Sequence, residues 1–181
     1  TENLSAINKK SIVLPLGEVK IKRKINSLNI IFRSNTKVNI WDQNKARIFN
    51  KPKSEYTLRS LNSLLNSLQK AKTLLQNINF NLTIVDDNSD KTIIKKINLL
   101  LSRWKIVPNI INLNKNEFDD KIINEGNPET FGNLASLLKC FLIAKNETED
   151  LIFFVEDDYL HKDTLIEEML MTYERLASQL N

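Results

Sequence analysis

The chain has 181 residues, 41% of them hydrophobic and 27% charged, which is enough for one sizeable core and cramped for two. It contains no apolar run long enough to cross a membrane, and its polar first ten residues do not resemble an export signal, so we expect a soluble, cytoplasmic protein without a transmembrane segment. Cys140 is the single cysteine, which excludes a disulfide within the chain.

The formal net charge of +4 is unevenly distributed along the chain. Residues 1–53 carry twelve Lys or Arg against three acidic residues, whereas residues 54–181 carry fourteen against nineteen. Such a basic segment is typical either of a solvated, lysine-rich surface or of a surface that attracts phosphate. It lacks interleaved aromatic residues and matches no nucleic-acid-binding motif, so nucleic acid is not an expected partner.

The first half of the chain predicts two strands separated by one long helix. Residues 1–27 predict a basic extension or an irregular hairpin, and the first strand is expected at residues 28–32. A polar connection follows at residues 33–53, and connections of that length are usually functional or disordered. Leucines recur at helical spacing without Gly or Pro over residues 54–76, which predicts a helix, and a second strand is expected at residues 82–85.

The second half continues the alternation of helices and strands. Short apolar runs predict strands at residues 109–113 and 151–155. Apolar residues at helical spacing predict helices from Asp90 to Trp104, around residues 134–142, and from Asp163 to Leu180. This order predicts an α/β fold, a mostly parallel sheet with helices on both faces. Right-handed crossovers would place the carboxyl ends of all the strands at one edge.

Two short acidic segments stand at the ends of predicted strands. Asp86 and Asp87 follow the second strand, and Glu156, Asp157 and Asp158 follow the fourth. Because parallel strands end at the same edge, we expect these five carboxylates to converge there, where α/β proteins hold nucleotides and metal ions.

The glycine content limits how a phosphate could be bound. The three glycines stand at positions 17, 126 and 132, so the chain has neither of the common glycine-rich phosphate loops. A divalent cation, Mg²⁺ or Mn²⁺, is the expected alternative, because it takes carboxylate oxygens and bridges to diphosphate oxygens. Glu156 and Asp158 are expected to point to one side of an extended strand end, and Asp157 to the other.

The acidic segments also resemble those of a known enzyme family. The segment from Val85 to Asp90 resembles the "VDDxSxD" segment of family 2 glycosyltransferases with the GT-A fold, and Phe154 to Asp158 resembles their "DxD" segment. In that family the first segment follows the second strand and the DxD segment closes the fourth. The resemblance covers about residues 28–180, so it implies a GT-A-like domain at residues 28–181 that corresponds to the nucleotide-sugar-binding half of such an enzyme.

The resemblance implies a role for each acidic residue. Asp87 would accept the imide N–H of uracil or a similar base, with Asp86 supporting the turn. Asp157 would contact the ribose or sugar, Asp158 would bind Mn²⁺ or Mg²⁺, and Glu156 would be a second ligand or act through water. The expected partner is a nucleotide-diphospho-sugar, with a UDP-sugar favoured, and the acceptor is unknown.

Basic residues could complete this site. Arg33 follows the first strand where family members contact the base, and it could instead reach a phosphate. Lys45, Arg47, Lys51 and Lys53 follow in the polar connection, where a helix start or an exposed loop is an equally good interpretation.

The resemblance does not extend to a catalytic base. In inverting members the base comes from the acceptor half, well after the DxD segment, whereas residues 159–181 are all that follow it here. We therefore expect a hexosyltransferase-type domain without its acceptor half: a fragment, a domain completed by a partner, or a domain that binds a nucleotide sugar without turnover.

Two alternatives of other classes remain. One is a non-catalytic nucleotide-binding or interaction domain, in which the acidic edge is incidental. The other is a receiver-like signalling domain, which residues 153–158 also resemble, but the single helix expected after Asp158 leaves no room for its later strands. His161 could touch a metal or phosphate, although an exposed surface position is the favoured interpretation.

Overall fold

The protein is described by a computed structural model that covers residues 20–37, 51–123 and 128–180. The hairpin predicted before residue 20 and most of the polar connection, including Lys45 and Arg47, lie outside the described residues. The strands are β1 (Ser27–Ser34), β2 (Asn79–Asp86), β3 (Asn109–Asn112) and β4 (Leu151–Glu156). The helices are α1 (Lys53–Leu74), α2 (Lys91–Arg103), α3 (Pro128–Glu147) and α4 (Leu165–Leu180), with a short 3-10 helix at Lys115–Phe118.

The four strands form one parallel sheet in the order β3-β2-β1-β4. The sequence therefore predicted the fold class correctly, an α/β fold with a parallel sheet and helices on both faces. Strands β1 and β2 are each at least three residues longer than the apolar runs that predicted them. Polar residues also take part in the ladder, as Asn29 and Asn81 show by pairing with each other.

The helices divide between the two faces of the sheet. Helices α1, α2 and α4 cover one face, where Phe32, Leu61 and Ile84 belong to the main apolar core. Helix α3 covers the other face, where Ile31 and Val85 pack with Cys140. This division follows from strand geometry, since alternate residues of a strand point to opposite faces.

Helix starts differ from their predicted positions, most of all for α3, which begins at Pro128 rather than near residue 134. Helix α1 begins at Lys53, directly after Pro52, rather than at residue 54. Asp90 does occupy the N-cap position of α2, but its side chain makes no capping hydrogen bond and pairs instead with Lys37 at 3.3 Å. These details matter for the site, because the start of α1 and the turn before α2 both border the carboxyl edge of the sheet.

Candidate functional site at the carboxyl edge of the sheet

The parallel register brings the two acidic segments to the two sides of the end of β1. Ser34 is in register with Asp86 of β2, and Arg33 is in register with Glu156 of β4. The predicted convergence of the acidic segments at one edge is therefore present. In the part of the chain that the structure describes, the buried charged residues are Asp86, Asp87 and Asp157, and all three lie at this edge.

Asp86 supports the turn that follows β2. Its carboxylate accepts a hydrogen bond from the Ser34 hydroxyl at 2.7 Å and another from the Ser89 backbone N–H at 2.9 Å. Each oxygen of this fully buried carboxylate thus has a partner within the protein. The geometry suits a residue that fixes the backbone rather than one that contacts a ligand.

Asp87 is also buried, with 3% of its surface exposed, and it is held by three donors. The side-chain amides of Asn35 and Asn88 donate to it at 2.9 and 3.2 Å, and the Lys115 ammonium lies 3.0 Å from Oδ1. A carboxylate offers about four lone-pair positions, so one acceptor position remains. Asn88 adopts a positive φ of 55°, a conformation that Asn tolerates well, and this turns the chain away from the carboxylate.

Helix α3 approaches Asp87 at a glycine. A Cβ atom added to Gly132 would lie 3.1 Å from Asp87 Oδ2, closer than ordinary van der Waals contact. It would lie closer still, 2.7 Å, to the Lys115 ammonium, so the absence of a side chain at this position gives Lys115 the space from which it pairs with Asp87. The sequence contained this signal, since one of its three glycines falls here.

Asp157 is the buried carboxylate after β4, with 7% of its surface exposed. It accepts hydrogen bonds from the Thr57 hydroxyl at 2.8 Å and the Asn35 backbone N–H at 3.1 Å, and the Lys53 ammonium lies 2.5 Å from Oδ1. Asn35 therefore joins the two acidic segments: its backbone binds Asp157 and its side chain binds Asp87.

Asp158 is the exposed member of the acidic segments. Its side chain is 47% exposed, and its nearest recorded cation is the Lys53 ammonium, 4.0 Å from Oδ2. One lysine nitrogen consequently lies beside two adjacent carboxylates. The cation that the structure places between these carboxylates is therefore the lysine itself.

Glu156 lies on the α3 face of the sheet, opposite to Asp157, as the sequence predicted. The Arg33 guanidinium donates to Glu156 at 2.7 Å and to the side-chain oxygen of Asn133 at 2.9 Å. Arg33 thus ties β4 to the start of α3. Among the described residues, no group of three or more His, Cys, Asp or Glu side chains is arranged to hold a metal ion, so a cation here would depend on ligands from the substrate.

His161 is not the exposed residue that the sequence favoured. Its ring is partly buried and packs edge-on against Phe153 with ring centroids 6.4 Å apart, and burial lowers its pKa. Its backbone N–H donates to the Ser63 hydroxyl at 3.0 Å, which anchors the loop after β4 to α1. The contacts of His161 described here are therefore those of packing.

Several residues of the site could not be assigned from the sequence. Thr57 and Lys115 have no motif around them, because their roles depend on how α1 and the 3-10 helix dock against the sheet. Asn35 and Lys53 lie in the polar connection, which was expected to be functional or disordered. Lys53 was named there only together with other basic residues, and Asn35 was not named as a site residue.

Comparisons of the chain with protein-family models, with curated proteins and with solved structures gave no match in any of the three. The structure itself defines an α/β domain with a polar, charge-paired site at the carboxyl edge of a parallel sheet. Within the described ranges, none of the helices combines the length and the apolar character that crossing a membrane would require.

Proposed function

We propose that the carboxyl edge of this sheet binds a nucleotide-diphospho-sugar together with a divalent cation, as in the donor half of a GT-A glycosyltransferase. The observation that carries this proposal is the linkage of two buried carboxylates, Asp87 and Asp157, through the single residue Asn35. It fixes the ends of three strands, β2, β1 and β4, around one site. Open α/β sheets bind their ligands at such an edge.

Asp87 would recognise the base, with a uracil-containing nucleotide favoured. Its one remaining acceptor position can take an imide N–H, and the Lys115 ammonium beside it would keep the carboxylate charged. Asp86 would hold the turn, Asp157 would face the ribose or sugar, and Arg33 would contact the base or a phosphate.

Asp158 would hold Mn²⁺ or Mg²⁺, with Glu156 acting as a second ligand or through water. Magnesium sites commonly use one or two carboxylates and complete their shell with substrate phosphates and water, which fits the donor set around Asp158. When bound, the cation would neutralise the diphosphate leaving group as the glycosidic bond breaks. The protein side chains would bind and orient the donor, and no catalytic base is assigned.

Transfer of the sugar to an acceptor would require a further segment or a partner protein. Strand β4 is an edge of the sheet formed by the described residues, and Ile152 and Phe154 on its α3 face are 39% and 41% exposed. Parallel sheets are normally covered on both faces, so these apolar side chains support the proposal that something else packs there. A cytoplasmic location belongs to the same proposal, since the buried thiol of Cys140 suits a reducing compartment.

The second candidate is a domain that binds the nucleotide without turnover. It is favoured by the ion pairs that already occupy the site, Lys53 with Asp157, Lys115 with Asp87, and Arg33 with Glu156. A binding module can use such a pre-organised site without a base.

Calorimetric titration of UDP, GDP and CDP, with and without Mn²⁺, tests the proposal. We expect UDP to bind most tightly with Mn²⁺ present, and Asp158→Ala to weaken binding about tenfold or more through loss of one charged ligand. Asp163→Ala is the matched control, because Asp163 also follows β4 and pairs with a lysine of α1, Lys70 at 2.6 Å.

Absence of binding to all three nucleotides would refute the proposal. If the nucleotides bind equally well with and without Mn²⁺, the proposed role of the divalent cation is wrong. Release of free sugar from a bound UDP-sugar separates the two candidates: hydrolysis favours the transferase, and stable binding without release favours the binding module.

A further inference from the structure

A cavity of about 390 Å³ lies at the amino edge of the sheet, on the same face as helix α3. Its floor is made of strand residues that share this face: Asn29 of β1, Asn81 and Thr83 of β2, and Asn109 of β3. Its volume lies in the range that is usual for small-molecule sites. Asn81 and Asp86 stand about 17 Å apart along β2, so the cavity is separate from the site at the carboxyl edge.

Helix α3 ends at the rim of this cavity. Its buried residues pack on Ile31 and Val85, further along the strands, whereas its last residue, Glu147, lines the cavity. The Asn29 side-chain amide donates to the Glu147 backbone carbonyl at 2.9 Å, which fixes the helix end beside the floor. Beyond this end the face of the sheet is polar and open, although the faces of parallel sheets are normally covered.

The floor carries hydrogen-bonding groups that the protein itself does not use. The Asn81 amide donates to the Asn29 side-chain oxygen at 3.1 Å, which leaves Asn81 its own oxygen and one N–H. In the part of the chain that the structure describes, the Thr83 hydroxyl and the Asn109 side chain have no hydrogen-bond partner. Thr83 lines the cavity with only 8% of its surface exposed. Because a buried hydroxyl costs stability unless it is bonded, we expect its partner to be a molecule in the cavity.

The charge around the cavity disfavours an anionic ligand. Among the nine described residues that line it, none is Lys or Arg, and the one charged member is Glu147. The carbonyl end of α3 adds the negative end of a helix dipole. Amide and hydroxyl groups both donate and accept hydrogen bonds, which matches the hydroxyl groups of a ligand, and Val107 and Pro108 offer apolar surface to its C–H groups.

We infer that this cavity binds a neutral, hydroxyl-rich ligand, a mono- or disaccharide. Asn81, Thr83 and Asn109 bind its hydroxyl groups, and the Glu147 carboxylate accepts a further hydroxyl hydrogen. Asn29 is a positioning residue, because its amide is already engaged with Asn81 and with the end of α3. The inference goes beyond the proposed function and does not depend on it, since no residue of the carboxyl edge takes part.

Nitrogen–proton correlation NMR spectra of the full chain test this inference, with glucose, galactose, N-acetylglucosamine and maltose as probes. We expect at least one of them to shift the side-chain amide signals of Asn81 and Asn109 and the backbone signal of Thr83 in a saturable way. The backbone signals of Asp87 and Asp157 should stay unchanged. Glucosamine, which carries an ammonium group, is added to separate recognition of hydroxyl groups from attraction to the Glu147 carboxylate.

Two variants locate the binding groups. Thr83→Val removes the hydroxyl and keeps the shape of the side chain. Because this hydroxyl has no partner among the described residues, urea denaturation should show no loss of stability, whereas the affinity for the saccharide should fall about three- to tenfold, the effect of one neutral hydrogen bond. Asn109→Ala, at an exposed position, should weaken binding by a similar factor. Asn112→Ala is the matched control and should leave the affinity unchanged, because Asn112 is an exposed asparagine of the same strand that points to the opposite face.

Absence of saturable shifts with all of the neutral probes would overturn the inference. Binding of glucosamine alone would also overturn it, because Glu147 would then attract a charge and the hydroxyl groups would not be recognised. Shifts centred on Asp87 and Asp157 would mean that the sugar binds at the carboxyl edge instead. If Thr83→Val and Asn109→Ala both bind the saccharide as tightly as the wild type, the cavity is not the binding site. Failure of the proposed function is a separate result, since it is measured with nucleotides at the other edge of the sheet.

Discussion

Replacing Thr57 by Val tests the buried hydrogen bonds that hold Asp157. The two side chains have nearly the same shape, so Thr57→Val removes a hydroxyl without opening a cavity. The Thr57 side chain is fully buried, and its hydroxyl lies 2.8 Å from Asp157 Oδ2. Asp157 would keep two partners, the Lys53 ammonium and the Asn35 backbone N–H.

The expected loss of stability follows from the charge of the acceptor. A hydrogen bond to a charged group contributes about 1.5–3 kcal/mol, and a buried carboxylate that loses one partner cannot recover it from water. We therefore expect Thr57→Val to lower the free energy of unfolding by about 2 kcal/mol. This would be a large share of the roughly 5–15 kcal/mol that keeps a domain folded.

Urea denaturation followed by circular dichroism measures this change, with the slope m checked for constancy. Thr73→Val is the matched control, because Thr73 is an exposed residue of the same helix whose hydroxyl bonds only to the Gln69 carbonyl, at 3.0 Å. We expect it to change the free energy of unfolding by less than about 0.5 kcal/mol, as for surface substitutions in general. A Thr57→Val variant as stable as Thr73→Val would refute the assignment of Asp157 as a buried, hydrogen-bonded carboxylate.

Three further predictions follow from the same structure. Gly132→Ala would gain about 0.5–1 kcal/mol of helix propensity, but its methyl group would lie 2.7 Å from Lys115 Nζ and 3.1 Å from Asp87 Oδ2. The Lys115 ammonium would have to move away from Asp87, so we expect no gain of stability in urea denaturation and weaker UDP binding in calorimetry. The carboxyl of Asp150 is partly buried, and this desolvation acts to raise its pKa, but the bonds from Arg23 and nearby backbone N–H groups outweigh it and leave the pKa lowered. The unfolded chain therefore takes up the proton first, so the stability advantage of the wild type over Asp150→Asn should be present above about pH 4 and shrink below it in pH-dependent urea denaturation. Burial raises the pKa of the Cys140 thiol to about 11, so it should react with a disulfide reagent at pH 8 only as fast as the protein unfolds, and rapid labelling of the native protein would contradict its position in the core.

The sequence predicted the order of elements because each strand and helix carries its own apolar pattern. Strand β4 and helix α4 were clear for this reason, since a short continuous apolar run and an apolar period of 3.6 residues do not depend on other parts of the chain. The start of α1 was placed one residue late, because Ser54 looked like a cap whereas Pro52 occupies that position. Local signals fix such boundaries only to within a residue or two.

Of the residues that form the site, only the acidic ones could be predicted from the sequence. Asp86, Asp87 and Asp157 follow apolar strands, so the parallel topology alone brings them to one edge. Their donors come from four separate parts of the chain, and which donor meets which carboxylate depends on helix docking. Thr57 shows this best: one threonine among the polar residues of α1 donates to a carboxylate one hundred residues away.

The placement of buried charge supports the proposal that the acidic edge binds a ligand. Asp86, Asp87 and Asp157 are the buried charged residues of the described chain, and all stand at the strand ends, above an apolar core that includes Phe32 and Ile84. Desolvation of a buried ion pair cancels most of its attraction, so apolar residues of similar size would stabilise a domain equally well or better. Stability alone therefore gives no reason to collect these charges at one edge. A bound ligand that offers new partners to these charges, as the proposed function requires, would give such a reason.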